Sequence, residues 1–281
     1  MYLVKRFFYG IFVLIGLSIL MFCLVRVMPG DPVRLVLGPR ATEEDVEKLK
    51  HQMGLDRPIY VQYAQYVEGI FLRGELGMSL VEHRDVSKIV AEKLPATIEL
   101  IMVSVFIAIV VAIPLGVLAA THRNGPIDYL GRLLALSGVS LPQFWVALVV
   151  QLILGYFLAL LPLTGRITGP PPFHITGLFL LDSLLTFNLK AFTHSLVHIL
   201  GPAMVLSLSP LANVTRLVRA SMIDELSKDY ALVSRATGIS DILINYKYVL
   251  RNAFSAALTM IGFLIPLMIG SAFVVETVFA W

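Results

Sequence analysis

His194 and His198 stand four residues apart, so on a helix they share a face, an arrangement by which two imidazoles can ligate one metal ion. No cysteine or carboxylate accompanies them in sequence, and they read as interfacial histidines at the entrance to an apolar run. The chain holds no G-x-x-x-x-G-K-[ST] loop, no H-E-x-x-H and no G-x-S-x-G. It therefore carries no recognisable site for nucleotide hydrolysis, and no enzyme activity, cofactor or metal is expected of it. The polar residues that stand out lie inside apolar runs: Gln143, Gln151, Asn213 and Glu276. Such groups are costly in hydrocarbon and should face a bundle interior or an aqueous path. Gln143, Asn213 and Glu276 are the candidates for lining such a path, while helix-to-helix hydrogen bonding is an equal alternative for the two glutamines. Asn213-Val214-Thr215 spells a glycosylation sequon, which inside an apolar run is accidental.

The elements that must position these residues are membrane spans. Of 281 residues, 57% are hydrophobic and 15% charged, and the mean hydropathy is +0.82. A soluble domain is about half apolar and roughly a quarter charged, so lipid is the expected solvent. One cysteine, Cys23, excludes an intrachain disulfide, and a net charge of +3 is too small to point to nucleic acid. Runs long enough to span occur near 7–28, 98–120, 133–161, 196–217 and 254–280. The first follows Lys5 and Arg6 but is too long for a signal-peptide core and shows no A-x-A site, so it reads as a retained anchor.

Lys5 and Arg6 place the N-terminus in the cytoplasm, and alternation puts 121–132 and 218–253 inside, with 29–97 and 162–195 outside. The inner segments carry Arg123, Arg132, Arg219, Lys228, Arg235, Lys247 and Arg251. Three parts follow: an N-terminal span at 1–28, an outer helical loop at 29–97 and a bundle at 98–281. In the outer loop, Thr42 followed by Glu43, Glu44 and Asp45 forms a capping box for a helix ending at Met53 before Gly54. A second helix over 59–72 follows Pro58, and a third over 86–94 should end at Pro95. Glu99 lies near the outer boundary of its span. In the 162–195 loop, Gly169-Pro170-Pro171-Pro172 cannot be helical, and the run at 175–185 is too short to span and should lie at the interface or re-enter. Prolines inside the spans, Pro114, Pro142, Pro202, Pro210 and Pro266, should each free a carbonyl and bend a helix.

The inner segment at 218–253 carries the most information. It reads as a helix leaving the fourth span, a reversal at Gly238, and a second helix capped by Ser240 that leads into the fifth span. A short helix held by two long ones is a lever able to transmit a push from a soluble partner.

This segment resembles the "EAA" loop of ABC importer permeases, E-A-A, three residues, Gly, nine residues, I-x-L-P. Gly238 and Leu250 match, Leu232-Val233-Ser234 stands in place of E-A-A, and Arg251 in place of the proline. It is closer to the version carried by the dipeptide/oligopeptide/nickel branch, with Arg219-Ala220-Ser221-Met222, then Tyr230 through Arg235-Ala236-Thr237-Gly238-Ile239-Ser240, then Leu250-Arg251-Asn252-Ala253. Further blocks resemble the first permease subunit of that branch: Arg26-Val27-Met28-Pro29-Gly30-Asp31-Pro32, Gly54-Leu55-Asp56-Arg57-Pro58, Leu94-Pro95-Ala96-Thr97-Ile98-Glu99-Leu100, and Gly138-Val139-Ser140-Leu141-Pro142-Gln143-Phe144-Trp145.

The resemblance implies an all-α polytopic bundle with the type I ABC importer fold and a small helical cap outside the membrane. It implies a subunit of the cell membrane that pairs with a second homologous permease, binds cytoplasmic ATP-binding subunits and receives substrate from an extracytoplasmic binding protein. It further implies an ATPase contact at Tyr230, Ala231, Arg235, Ala236 and Gly238, with Leu250, Arg251 and Asn252 anchoring the lever. Short peptides are the implied cargo; nickel, metal chelates and oligosaccharides are the alternatives. In the family the segment like Val275 to Trp281 is followed by Pro-Gly-x-Gly and a sixth span, so five of six spans are expected here, in a fragment or truncated product. A secondary transporter or channel working without ATPases is the rival from another class; it predicts charged midplane residues or an inverted repeat, and neither stands out.

Overall fold

A computed structural model describes residues 2–27, 33, 37, 42–52, 54–79, 82 and 84–281. Met28 to Pro32 of the first motif block, and Met53, lie outside the described residues. Among the described residues the secondary structure is helical, with a single isolated antiparallel bridge between Met78 and Asp85. The chain divides into two compact units, residues 1–92 and 93–281.

In the first unit, α1 spans Tyr2–Val27, α2 Glu43–Gln52 and α3 Ile59–Glu68, the last prolonged by a π-helical turn at Gly69–Arg73. The α2 cap forms as the sequence dictates: the Asp45 N–H donates to Thr42 Oγ1 at 3.2 Å, and the Thr42 hydroxyl donates to the Asp45 carboxylate at 2.5 Å. Gly54 takes φ +64° just after α2, and Pro58 precedes α3. The rings of Tyr63 and Tyr66 lie 5.4 and 5.6 Å from that of Phe22, so α3 packs on α1 through aromatic edges. The rest of α1 exposes apolar side chains all round, as a helix does when its solvent is hydrocarbon.

The helix α4, Val86–Thr121, runs straight through Pro95, where the sequence predicts a stop. Proline removes one helical hydrogen bond, but the residues beyond it, Ala96, Glu99 and Leu100, are all buried, and this tertiary burial overrides the local preference. The second unit continues with α5 (Pro126–Ser140), α6 (Gln143–Val150, prolonged by a π-helical stretch at Gln151–Phe157), α7 (Phe179–Leu185) and α8 (Leu189–Leu226). It ends with α9 (Asp229–Ala236), α10 (Asp241–Leu243, followed by a π-helical stretch at Ile244–Val249) and α11 (Leu250–Phe279).

Among the described residues, four helices are long and apolar enough to cross a membrane, and a fifth crossing exists if α5 and the Gln143–Phe157 helix count as one span. The predicted run at 133–161 is thus not one straight helix: its two halves meet at 109°. Pro142 has no N–H to bond back to Gly138, and it forces Leu141 into an extended conformation (φ −81°, ψ 134°). The predicted short run at 175–185 is helical only over Phe179–Leu185; its first residues are a loop folded around Asp182.

Two long helices form the spine. At 36 and 38 residues, α4 and α8 exceed the roughly 30 Å of bilayer hydrocarbon at about 1.5 Å per residue and so project beyond it. They approach closely because Gly116 has no side chain: a Cβ there would lie 2.7 Å from the Val218 side chain. Along α11 the buried residues Ala253, Ala257, Ile261, Leu264, Met268, Ala272, Val275 and Phe279 recur every three or four positions, a stripe that packs on α8 and α6. Its opposite face, with Phe263, Leu267 and Phe273, is equally apolar but exposed, as contact with lipid requires.

Candidate functional site

The reversal at Gly238 forms as its sequence predicts, but the helix expected to run from the fourth span up to it is interrupted at Ser227 and Lys228, between α8 and α9. Gly238 adopts φ +79°, a conformation that a side chain strains, and no atom lies within 4 Å of where its Cβ would be. Ser240 occupies the N-cap position of α10 with extended backbone, yet its side chain makes no capping bond; its carbonyl accepts from the Ile244 N–H instead. Arg235 Nε donates to Asp241 Oδ1 at 3.0 Å and so bridges the two arms across the glycine.

The candidate residues divide between two faces. Ala231 is fully buried, in a cluster with Met222, Ile244, Val249 and Ala253. Tyr230 and Leu250 pack against that cluster. The Tyr230 hydroxyl donates to Glu225 Oε2 at 2.8 Å and accepts from Asn252 Nδ2 at 3.3 Å, tying the ends of α8 and α11 through α9. Burial and then the neighbouring Glu225 carboxylate hold the Tyr230 phenol above its ordinary pKa, and the same carboxylate raises that of Lys228, which donates to it at 2.6 Å. The outward face of α9 carries Leu232, Val233, Arg235 and Ala236, with Leu232 54% and Val233 60% exposed. Arg251 is exposed as well. Tyr230, Ala231, Leu250 and Asn252 therefore brace the reversal, and Arg235, Ala236 and Gly238 lie on its surface.

The three path candidates are not brought together. Gln143 borders a cavity of about 200 Å³ beside Gly138, Val205 and Ser209. Asn213 donates to the Ser209 carbonyl at 2.9 Å and accepts from Arg216 at 3.2 Å. Glu276 has one carboxylate oxygen buried without a hydrogen-bond partner. Gln151, by contrast, links elements: its amide donates to the carbonyls of Leu163 at 2.6 Å and Val278 at 3.3 Å. His198 is engaged at both ring nitrogens, with Gly165 O at 2.8 Å and Thr168 Oγ1 at 2.7 Å, so it locks a loop. Among the described residues no group of three or more metal-ligating side chains converges.

Sequence reasoning missed three buried carboxylates. Glu99 accepts from Arg166 Nη2 at 2.7 Å and from the Leu180 N–H at 2.6 Å. Arg166 also donates to the Gly177 carbonyl at 3.1 Å and stacks 3.8 Å from the centroid of the Phe179 ring. Asp182 accepts from the N–H groups of Ile175, Thr176 and Gly177 at 2.9–3.2 Å and from the Thr176 hydroxyl at 2.6 Å. Burial works to raise its pKa, but these donors outweigh it and hold the carboxyl below its ordinary value. Asp128 accepts from Arg219 Nε and Nη2 at 2.5 and 2.8 Å, and from Arg132, joining α5 to α8. The signal for this last site was present: an aspartate four residues before an arginine at the opening of a helix.

Residues 112–281 match the family described as "Binding-protein-dependent transport system inner membrane component", and residues 1–101 match its companion "Binding-prot-dependent transport system membrane comp, N-term". The chain belongs to this family. The "Probable D,D-dipeptide transport system permease protein DdpB" of Escherichia coli K12 is 38% identical over 273 residues, 96% of this chain and 80% of that protein. The dipeptide transport system permease protein DppB of Alkalihalophilus pseudofirmus is 33% identical over 281 residues, 100% of this chain and 84% of its own length. The oligopeptide transport system permease protein AppB of Bacillus subtilis is 33% identical over 282 residues, 100% of this chain and 83% of its own. As a binding-protein-dependent permease, the chain is a multi-pass membrane subunit of the ABC importer class, in agreement with its helical fold and the resemblance of its motifs.

Proposed function

We propose that this permease forms half of a translocation path for short peptides and couples it to cytoplasmic ATP-binding subunits through α9 and Gly238. The N-terminus lies in the cytoplasm; a second homologous permease supplies the other half of the path, and an extracytoplasmic binding protein delivers the cargo. The observation that carries the reading is the two-faced α9: Ala231 and Tyr230 fix it to the ends of α8 and α11, while Leu232 and Val233 face outward and are more than half exposed. Exposed apolar side chains on a rigid, braced element suit a protein contact. Closure of an ATPase dimer against that face would press on α9, and the Glu225–Tyr230–Asn252 chain of hydrogen bonds would pass the push to α8 and α11.

Peptides are favoured over nickel, chelates or oligosaccharides because the similar curated permeases are named for dipeptide and oligopeptide transport. The test is reconstitution of the full transporter from the neighbouring genes, with uptake of a labelled dipeptide measured in proteoliposomes. ATP-dependent uptake that a competing dipeptide abolishes is expected. Uptake that persists without ATPase subunits would overturn the coupling, and nickel uptake without dipeptide uptake would overturn the cargo.

A further inference from the structure

A cavity of about 540 Å³ in the second unit opens between the end of α4, α5 and α8, and it is amphipathic in a directed way. Four arginines line it, Arg123, Arg132, Arg216 and Arg219, and its walls continue along α5 and α8 past Leu136 and Val139. Asp128 is the carboxylate that answers this charge; it is fully buried and holds both Arg132 and Arg219. Arg216 is exposed and donates only to the neutral Asn213 amide, and Arg123 is exposed and makes no ion pair among the described residues. One carboxylate for four guanidiniums leaves an excess of three positive charges around a cleft whose walls turn apolar. An apolar partner helix seated there would leave that charge unanswered, whereas an amphiphile with an anionic head and hydrocarbon tails satisfies both parts of the lining.

We propose that this cleft binds an anionic phospholipid, its phosphate between Arg123 and Arg216 and its acyl chains along Leu136 and Val139. The Asp128 clamp presets Arg132 and Arg219, so two of the four cations are positioned before the lipid arrives. Delipidated full-length protein in neutral detergent, titrated by native mass spectrometry with phosphatidylglycerol, phosphatidylcholine or inorganic phosphate, tests this. Phosphatidylglycerol should bind tightest, and Arg123→Gln with Arg216→Gln should weaken it about 25-fold, at about fivefold per arginine near an anionic headgroup. Phosphatidylcholine binding should be unchanged in that variant, and Arg123→Lys with Arg216→Lys should retain most of the preference. Equal binding of the two lipids by the unaltered protein would overturn the proposal whatever the variants do. Inorganic phosphate competing at the same concentration as the lipid would assign the cleft to a free anion. Loss of the bound lipid when a second permease subunit is added would make this face a subunit interface, and would also overturn it.

Discussion

The two ends of α8 treat polar groups in opposite ways. Near its start, Glu99 is almost fully buried and pairs at 2.7 Å with the partly buried Arg166, which lies against Phe179 and the Gly177 carbonyl, while His198 holds a loop by two bonds and Asp182 by four. Beyond its end, the Gly238 reversal keeps one face of α9 in the core and leaves the other open. Paired charge with little exposure makes the first region a fixed support, because breaking the Arg166–Glu99 contact strands a charged group away from water, beside an Arg166 Nε that is already buried without a partner. The second region has an exposed face with a braced back, and in the proposed coupling it is this face that meets the ATP-binding subunits.

Substitutions should separate the two. Arg166→Ala or Glu99→Ala, by leaving a buried charge alone, should destabilise the chain by about 3–5 kcal/mol in equilibrium unfolding from detergent micelles. A loss below about 1 kcal/mol would show that the hub is not a support. Asp182→Asn should cost about 1.5–3 kcal/mol, the range for hydrogen bonds to a charged group. Because the folded carboxyl titrates below its ordinary value, that contribution is full above the unfolded pKa and is lost as the pH falls through the folded one. The unaltered protein should therefore lose stability below about pH 4, and Asp182→Asn should flatten that part of the profile. At the other end, Ala231→Leu forces extra methylenes into a filled site and should cost about 1–3 kcal/mol. Gly238→Ala should cost about 1 kcal/mol from backbone strain alone, since space for the methyl group is free. Leu232→Gln with Val233→Gln should change stability by less than about 0.5 kcal/mol, the behaviour of surface positions.

What was legible in the sequence was local. The Thr42 cap, the stop at Gly54 and the reversal at Gly238 depend on residues a few positions apart, and each formed where its residue types require. The Pro142 break was visible as a proline but not as a turn of 109°, since the angle depends on what α5 and α6 pack against. Pro95 misled, because a local helix breaker was outweighed by burial of Ala96, Glu99 and Leu100. The Glu99–Arg166 pair joins residues 67 positions apart, and no pattern in one sequence couples them. Within the candidate site, sequence motifs marked Tyr230, Ala231 and Arg235 alike; only the fold separates the two that brace α9 from the one on its surface.

The division of α9 into a braced back and a presented front is tested most directly by cysteine cross-linking in the assembled transporter. Cys23 is the sole native cysteine, so Cys23→Ser gives a clean background. A cysteine introduced at Val233 should cross-link to an ATP-binding subunit carrying a matching cysteine, and one introduced at the buried Ala231 should not. Equal cross-linking from both positions, or from Ala231 alone, would contradict the account.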